Sequence, residues 1–308
     1  MLHRLAIWLV ISTFAMALMV RVPVARACSV CESGDPLVHA SDSAAHANRL
    51  RLALDFQYLT ATAASDDMPG ATESINQFTL QPVIVYSPSP QLNLILQAPV
   101  MRKHWTLTGG GTDERQTPIG LGDLDLGTRW FFWQRKNWSA GSRQVLGLTT
   151  GVYLPTGPND AKSDGMRIDD HAQLGRGSFE PYLGATYAYH RDPWNTFASA
   201  TATAHTTNSY DYHYGTGLQW AMREDYRPRS WIAFELGADG RYAMQDKIGR
   251  EIQENTGGLV LAVAPGVAVN VVSNLWLRAH AEIPVYERLY GAQSLGVTMS
   301  TSVEMLIQ

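Results

Sequence analysis

The stretch GLGDLDLGTRW, residues 120–130, places Asp123, Asp125 and Arg129 on one parity and Leu124, Leu126, Thr128 and Trp130 on the other. A period of two is a strand period, so this segment has a charged face and an apolar face. The pattern recurs along most of the chain. Leu50, Leu52, Leu54, Phe56 and Tyr58 oppose Arg49, Arg51, Asp55 and Gln57. Ile232, Phe234, Leu236 and Ala238 oppose Glu235, Asp239 and Arg241, and Leu277, Ala279, Ala281 and Ile283 oppose Arg278, His280 and Glu282. From Leu295 to Ile307 the odd positions are mostly apolar, and Glu304 falls on the even face.

This alternation predicts strands near 49–61, 73–87, 92–107, 120–134, 143–155, 178–190, 195–207, 210–223, 231–246, 257–272, 275–288 and 295–308, about twelve in all. Connections alternate between short, as at Pro88-Ser89-Pro90 and Ser273-Asn274, and long, as in TGGGTDERQTP and TGPNDAKSDGMRIDDHAQLGRGS. A tight connection near Asn208–Ser209 is the outlier. Strands this long with apolar faces need either a second layer, for which the chain offers no helices, or lipid. Short inner turns, long outer loops and an even strand number fit an outer-membrane barrel. Two aromatic bands agree: Trp133, Trp138, Trp194, Trp231 and Trp276 at the inner ends, and Tyr58, Trp105, Tyr153, Tyr242 and Tyr286 at the outer ends. The expected fold is an all-β, transmembrane, antiparallel up-and-down barrel with periplasmic termini. A soluble β-protein is the alternative.

In such a barrel the apolar parity meets lipid and the charged parity lines the lumen. The expected lumen-lining residues are Arg49, Arg51, Asp55, Asp123, Asp125, Arg129, Glu235, Asp239, Arg241, Arg278, His280, Glu282 and Glu304. Facing lipid at the midplane would cost about 2–4 kcal/mol for each basic group.

The N-terminal MLHRLAIWLVISTFAMALMVRVPVARA has a basic start, an apolar run and Ala25-Arg26-Ala27 at its end. That is the layout of a secretory signal over 1–27, with a membrane anchor as the alternative. Residues 28–48 then form a polar periplasmic leader and 49–308 the barrel. A lipid-anchored Cys28 is disfavoured by Arg26. Charged residues are 17% of the chain and the net charge is −4, so no basic face offers itself to nucleic acid. Both cysteines lie in CSVC, and one local pair cannot staple a fold of this size.

GLGDLDLGTRWFFW, GVYLPTGPND and LGRGSFEPYLGATYAYHR, with the late IPVYERLYGAQSLG, resemble the signature run of outer-membrane transporters of the meta-pathway of phenol degradation family. Tyr290 stands where that family usually has Asn. The resemblance spans most of 49–308. It implies an outer-membrane barrel tied to uptake of small organic molecules.

Cys28 and Cys31 have the spacing of a disulfide or a metal or redox pair, and His39 and His46 could complete a copper or zinc site. Glu32 stands where covalent haem attachment needs His. Ser199 and His205 are the residues a barrel hydrolase could use, although no nucleophile motif surrounds either. The acidic loop 157–177, with Asp160, Asp164, Asp169 and Asp170, reads as solvated, with a divalent-cation site that could bridge lipopolysaccharide as the alternative; its spacing does not match a calcium loop. No cofactor and no enzymatic activity are expected. Expected partners are outer-membrane lipids and lipopolysaccharide, the barrel-assembly machinery and small solutes, with a periplasmic protein possible at the leader. The chain ends SVEMLIQ, without the terminal aromatic many such barrels present to that machinery. The function expected is a passive channel in the outer membrane for small solutes, aromatic or amphipathic ones among them. The alternatives are a plugged scaffold that docks a periplasmic redox or metal protein through CSVC, and a hydrolase.

Overall fold

The computed structural model describes residues 49–65, 70–109 and 111–307. The signal and leader, with Cys28, Cys31, His39 and His46, lie outside the described residues. Alternation builds the wall strand by strand: β1 (Arg49–Ala64), β2 (Ala71–Ser89), β3 (Leu92–Gln97, resuming as Val100–Gly109), β4 (Leu124–Asn137), β5 (Ser142–Leu154) and β6 (Glu180–Arg191). The second half is β7 (Trp194–Thr203), β8 (Gly217–Arg229), β9 (Ile232–Ala243), β10 (Gly258–Val272), β11 (Leu275–Leu289) and β12 (Thr298–Ile307). Neighbours pair antiparallel, and β12 returns to β1 from Leu50↔Ile307 to Tyr58↔Met299, closing a 12-strand barrel. Closure satisfies the wall's backbone groups without water, the condition for crossing a membrane with strands. Among the described residues no helix is long and apolar enough to cross one.

The outward parity is apolar and exposed: Leu54, Phe78, Ile84, Leu94, Leu126, Leu148, Phe234 and Val303 all face away from the interior. A water-soluble protein does not leave so continuous an apolar surface bare. At the end with short turns, Trp130, Phe132, Trp133 and Trp194 face outward, and the Trp194 and Tyr226 rings lie 4.6 Å apart. The outer aromatic band is thinner than the sequence suggests. Trp105 is 3% exposed and Tyr153 lines an internal cavity, so both point inward. Trp105 shares its parity with the buried Lys103 and Leu107, so the inward face could have been read from the strand itself.

The interior is not wholly polar either. Ala53, Val83, Val85 and Ile95 pack together on β1–β3, and Phe131, Val145, Ala188, Phe197 and Ala221 on β4–β8. Two segments differ from the expected boundaries. The eighth strand is Gly217–Arg229 rather than 210–223, so the supposed tight connection at Asn208–Ser209 is a loop, 204–216. TGGGTDERQTP is no loop: Thr112–Gln116 and Ile119–Leu121 pair back onto β3 as a hairpin standing above the neighbouring wall. The expected single strand 120–134 therefore breaks at Gly122-Asp123.

Candidate functional site

The site begins at that break. Gly122 N–H donates to Pro99 O at 2.8 Å, and Asp123 turns its carboxylate onto two other backbones. Its Oδ1 accepts from Gly157 N–H at 2.9 Å and its Oδ2 from Arg176 N–H at 2.8 Å. Thr156 Oγ1 donates to Gly122 O and accepts from Leu124 N–H, at 3.2 and 3.0 Å. Gly157 and Gly175 meet backbone to backbone: a Cβ on Gly175 would lie 2.6 Å from Gly157 Cα, closer than any side chain tolerates. Three short motifs far apart in sequence, GLGD, LPTG and LGRG, thus form one knot.

The knot folds the β5–β6 loop, 155–179, into the barrel's outer mouth. Ile168, Ala172 and Ala161 pack on inward-facing Ala63, Ala71, Ile75, Trp105 and Leu107. Lys103, 2% exposed, donates from Nζ to His171 O at 2.9 Å. Gln173 is 1% exposed and ties Ala161 N–H, Ala161 O and Ile168 O with its amide. Across the mouth, Asp246 Oδ2 lies 2.8 Å from His171 Nε2 and accepts from Tyr212 OH at 2.7 Å. Tyr212 and His213 pair with Lys247 and Ile248, so the loops after β7 and β9 brace each other against the inserted one. Burial alone would raise the Asp246 carboxyl, but hydrogen bonds and charge from His171 and bonds from Gly215 N–H and Tyr212 hold it below the usual carboxylate range. Burial first, then the charge of Asp246, drives the Tyr212 phenol well above its ordinary value. Asp170 receives both terminal Arg167 nitrogens at 2.7 Å. The acidic loop is therefore not a solvated one, although its hairpin tip around Asp164 and Met166 stays exposed. Net charge does not reveal burial when a buried acid has its donor waiting, as Asp170 has Arg167 within the loop and Asp246 has His171 from another.

Beneath the inserted loop lies a cavity of about 140 Å³. Gln57, Gln77, Gln81, Gln97 and Gln219 contribute amides, Tyr153 and Tyr214 aromatic rings, Met101 and Leu174 apolar surface, and Asp125, Arg176, Glu180 and Arg241 charge. Asp125 accepts from Gln97 Nε2 at 2.8 Å and Tyr182 OH at 2.9 Å, and Gln81 bonds Gln97. Arg176 pairs with Glu180, whose Oε2 lies 3.5 Å from His205 Nε2. His205 therefore addresses Glu180 and Arg176 rather than the Ser199 hydroxyl lower on β7.

The other charged positions read from the sequence fall as follows. Arg51 Nη1 bonds Glu304 Oε1 at 3.2 Å, and Arg129 Nε bonds Thr149 Oγ1 at 3.2 Å. Arg241 meets Glu282 at 2.7 Å, and Glu235 meets Arg278 at 3.0 Å and Arg223 at 4.0 Å. Asp239 and His280 are buried, and Arg49 and Asp55 half-buried. Sequence reasoning missed Arg223, Lys103, His171, Glu180, Asp246 and the glutamines. Parity was a usable signal for Gln77, Gln81 and Arg223, which alternate with exposed apolar neighbours. No local signal marks His171 or Asp246, which meet only through the folded loops.

A closed barrel of this strand number, apolar outside and charged within, with a loop folded into its mouth, is an outer-membrane β-barrel. The family model described as Putative MetA-pathway of phenol degradation matches residues 49–299, and the chain belongs to that family. The COG4313 outer membrane channel from Pseudomonas putida F1 shares the fold, at TM-score 0.66 and 16% identity over 89% of this chain and 100% of that one. The transport unit of the Escherichia coli autotransporter AIDA-I aligns at TM-score 0.47 and 10% identity, covering 84% and 90% of the two chains. The CymD monoaromatic hydrocarbon channel aligns at TM-score 0.39 and 6% identity, covering 85% of this chain and 90% of that one. Among curated proteins no sequence matches significantly.

Proposed function

We propose that the protein is a passive channel for small neutral or amphipathic solutes, including aromatic ones, and has no enzymatic activity. The cavity under the inserted loop carries this reading. Its glutamine amides offer donors and acceptors to a hydroxyl or carbonyl, and its tyrosine rings, Met101 and Leu174 offer apolar contact. Several acids and bases inside the barrel pair, Arg51 with Glu304, Arg241 with Glu282 and Glu235 with Arg278, so weak ion selectivity is expected. The loop closes the outer mouth, and solute passage requires its displacement. Purified protein in planar bilayers should give small conductance steps with a reversal potential near zero in a salt gradient. Silence under all conditions would refute the channel and favour the plugged scaffold.

A further inference from the structure

The loops that brace the mouth also build a groove on its outer flank. Tyr212–His213, Lys247–Ile248 and Glu251–Ile252 form a small three-stranded sheet above β8 and β9. Its two faces differ. Tyr212 turns inward to Asp246, and Ile248 and Glu251 share its row. Successive residues of a strand point to opposite faces, so the row His213, Lys247 and Ile252 points away from the lumen. Residues directly opposite on paired strands hold their Cβ atoms about 5 Å apart. His213 and Lys247 therefore present an imidazole and an ammonium side by side. With Tyr242, Met244 and Tyr290 they line an open groove of about 280 Å³. Tyr242 and Tyr290 hydrogen-bond through their side chains, and Met244 and Tyr290 are exposed. The acids of the small sheet lie elsewhere. Glu251 falls in the Tyr212 row, and the Asp211 carboxylate sits against the Gly249 turn. The ladder fixes the level of the groove. Tyr242 pairs with Leu218 on one side and Leu259 on the other, and Leu259 with the exposed Arg288. This row is the end of the wall on this flank, since β8 begins at Gly217 and β9 stops at Ala243. The groove sits where acyl chains give way to headgroups.

We propose that this groove binds lipopolysaccharide of the outer leaflet, with a lipid A phosphate held by Lys247 and His213 and an acyl chain laid on Tyr242, Met244 and Leu218. Nζ and the imidazole N–H donate charge-assisted hydrogen bonds to the phosphate oxygens. The apolar side chains below cover the upper end of the acyl chain. The tyrosine rings lie between the two, at the boundary where amphipathic rings are favoured. Arg288, at the end of the same row, adds a further positive charge beside the headgroup. A bare apolar wall would hold any lipid alike, whereas the paired donors above an aromatic floor select a phosphorylated one. The outer leaflet supplies that lipid as lipopolysaccharide. Tyr290, at which this chain departs from the family's ending, supplies part of the floor. The binding is independent of the solute the channel passes.

The test titrates the purified protein in detergent with bisphosphorylated lipid A and reads binding by native mass spectrometry. The parent should bind lipid A at least tenfold more tightly than phosphatidylglycerol. Lys247→Glu with His213→Ala should weaken lipid A binding at least tenfold, and Tyr290→Asn at least threefold. Lys247→Arg, which keeps the charge, should stay within twofold of the parent. Arg102→Gln removes an exposed charge from the opposite flank of the wall, on β3, and should leave binding unchanged. The heat-modifiable band shows that each variant is folded. Lipid A stripped of its phosphates should bind the parent as weakly as intact lipid A binds the double variant, a comparison that needs no altered protein on the parent's side. Unchanged affinity in the double variant, or on removal of the phosphates, overturns the proposal. So does equal weakening by Arg102→Gln, which would make the attraction nonspecific. Equal affinity for phosphatidylglycerol, or displacement of lipid A by inorganic phosphate or by an uncharged phenol, would assign the groove to another occupant and overturn it as well.

Discussion

Gly175→Ala tests the knot that holds the loop in the mouth. The new Cβ would lie 2.6 Å from Gly157 Cα and 2.5 Å from its carbonyl carbon. Ordinary contacts start near 3.4 Å, so one backbone must move by roughly 1 Å, and overpacking of this kind costs about 1–3 kcal/mol. The movement also draws Gly157 and Arg176 away from Asp123, whose carboxylate accepts from both at 2.9 and 2.8 Å. Hydrogen bonds to a charged group contribute about 1.5–3 kcal/mol each. Losing one together with the clash shifts the inserted–released equilibrium by roughly 2.5–6 kcal/mol. The upper end takes a loop from almost always in to almost always out, and the lower end raises the released fraction substantially. The barrel ladder is not involved, so the heat-modifiable band on gels should persist. Trypsin should cut faster at Lys162 and Arg167, and single-channel conductance should rise. Gly217→Ala is the control, because its Cβ would meet only Tyr242 O, at 3.8 Å. Normal trypsin resistance and conductance in Gly175→Ala would refute the knot, as would loss of the folded barrel.

Removing Asp246 by Asp246→Ala should leave His171 and Tyr212 without their shared acceptor, costing about 3–5 kcal/mol if the pair is charged and exposing the 162–167 tip to trypsin without loss of the barrel. Because the Asp246 carboxyl is held below its ordinary value, its contribution is present above about pH 4, the unfolded value, and is lost as pH falls through the lower folded value. Trypsin cannot report that far into acid, so pepsin digestion at about pH 2–3 should nick the loop, and Asp246→Asn should abolish this acid step. Leu126→Arg, which places a charge on the outward face, should impair assembly by about 2–4 kcal/mol, whereas equal damage from the inward Asp125→Asn would show the faces to be misassigned. Arg278→Ala should strip Glu235 of its 3.0 Å partner and move the reversal potential toward cations; an unchanged potential would remove Glu235 from the ion path.

The barrel was legible in the sequence because lipid and lumen sit on opposite sides of a single layer. Each strand must then alternate, and Leu52, Leu54 and Phe56 against Arg51, Asp55 and Gln57 record that demand residue by residue. Strand number, short inner turns and the inward parity of the charged positions follow from the same local rule. The eighth strand was misplaced where the rule is weak, in a polar stretch whose register is set by Tyr212 pairing with Ile248 in another loop. What only the tertiary structure decided is the mouth. The glycines of GLGD, LPTG and LGRG look like three separate turns in sequence. In space they are one close contact, Gly157 against Gly175 beside Gly122, capped by Asp123. His171 reaches Asp246 across residues that carry no shared periodicity, so no pattern along the chain announces the pair. Alternation is a property of neighbours in sequence and can be read there, whereas a loop's burial depends on the surface it lands on.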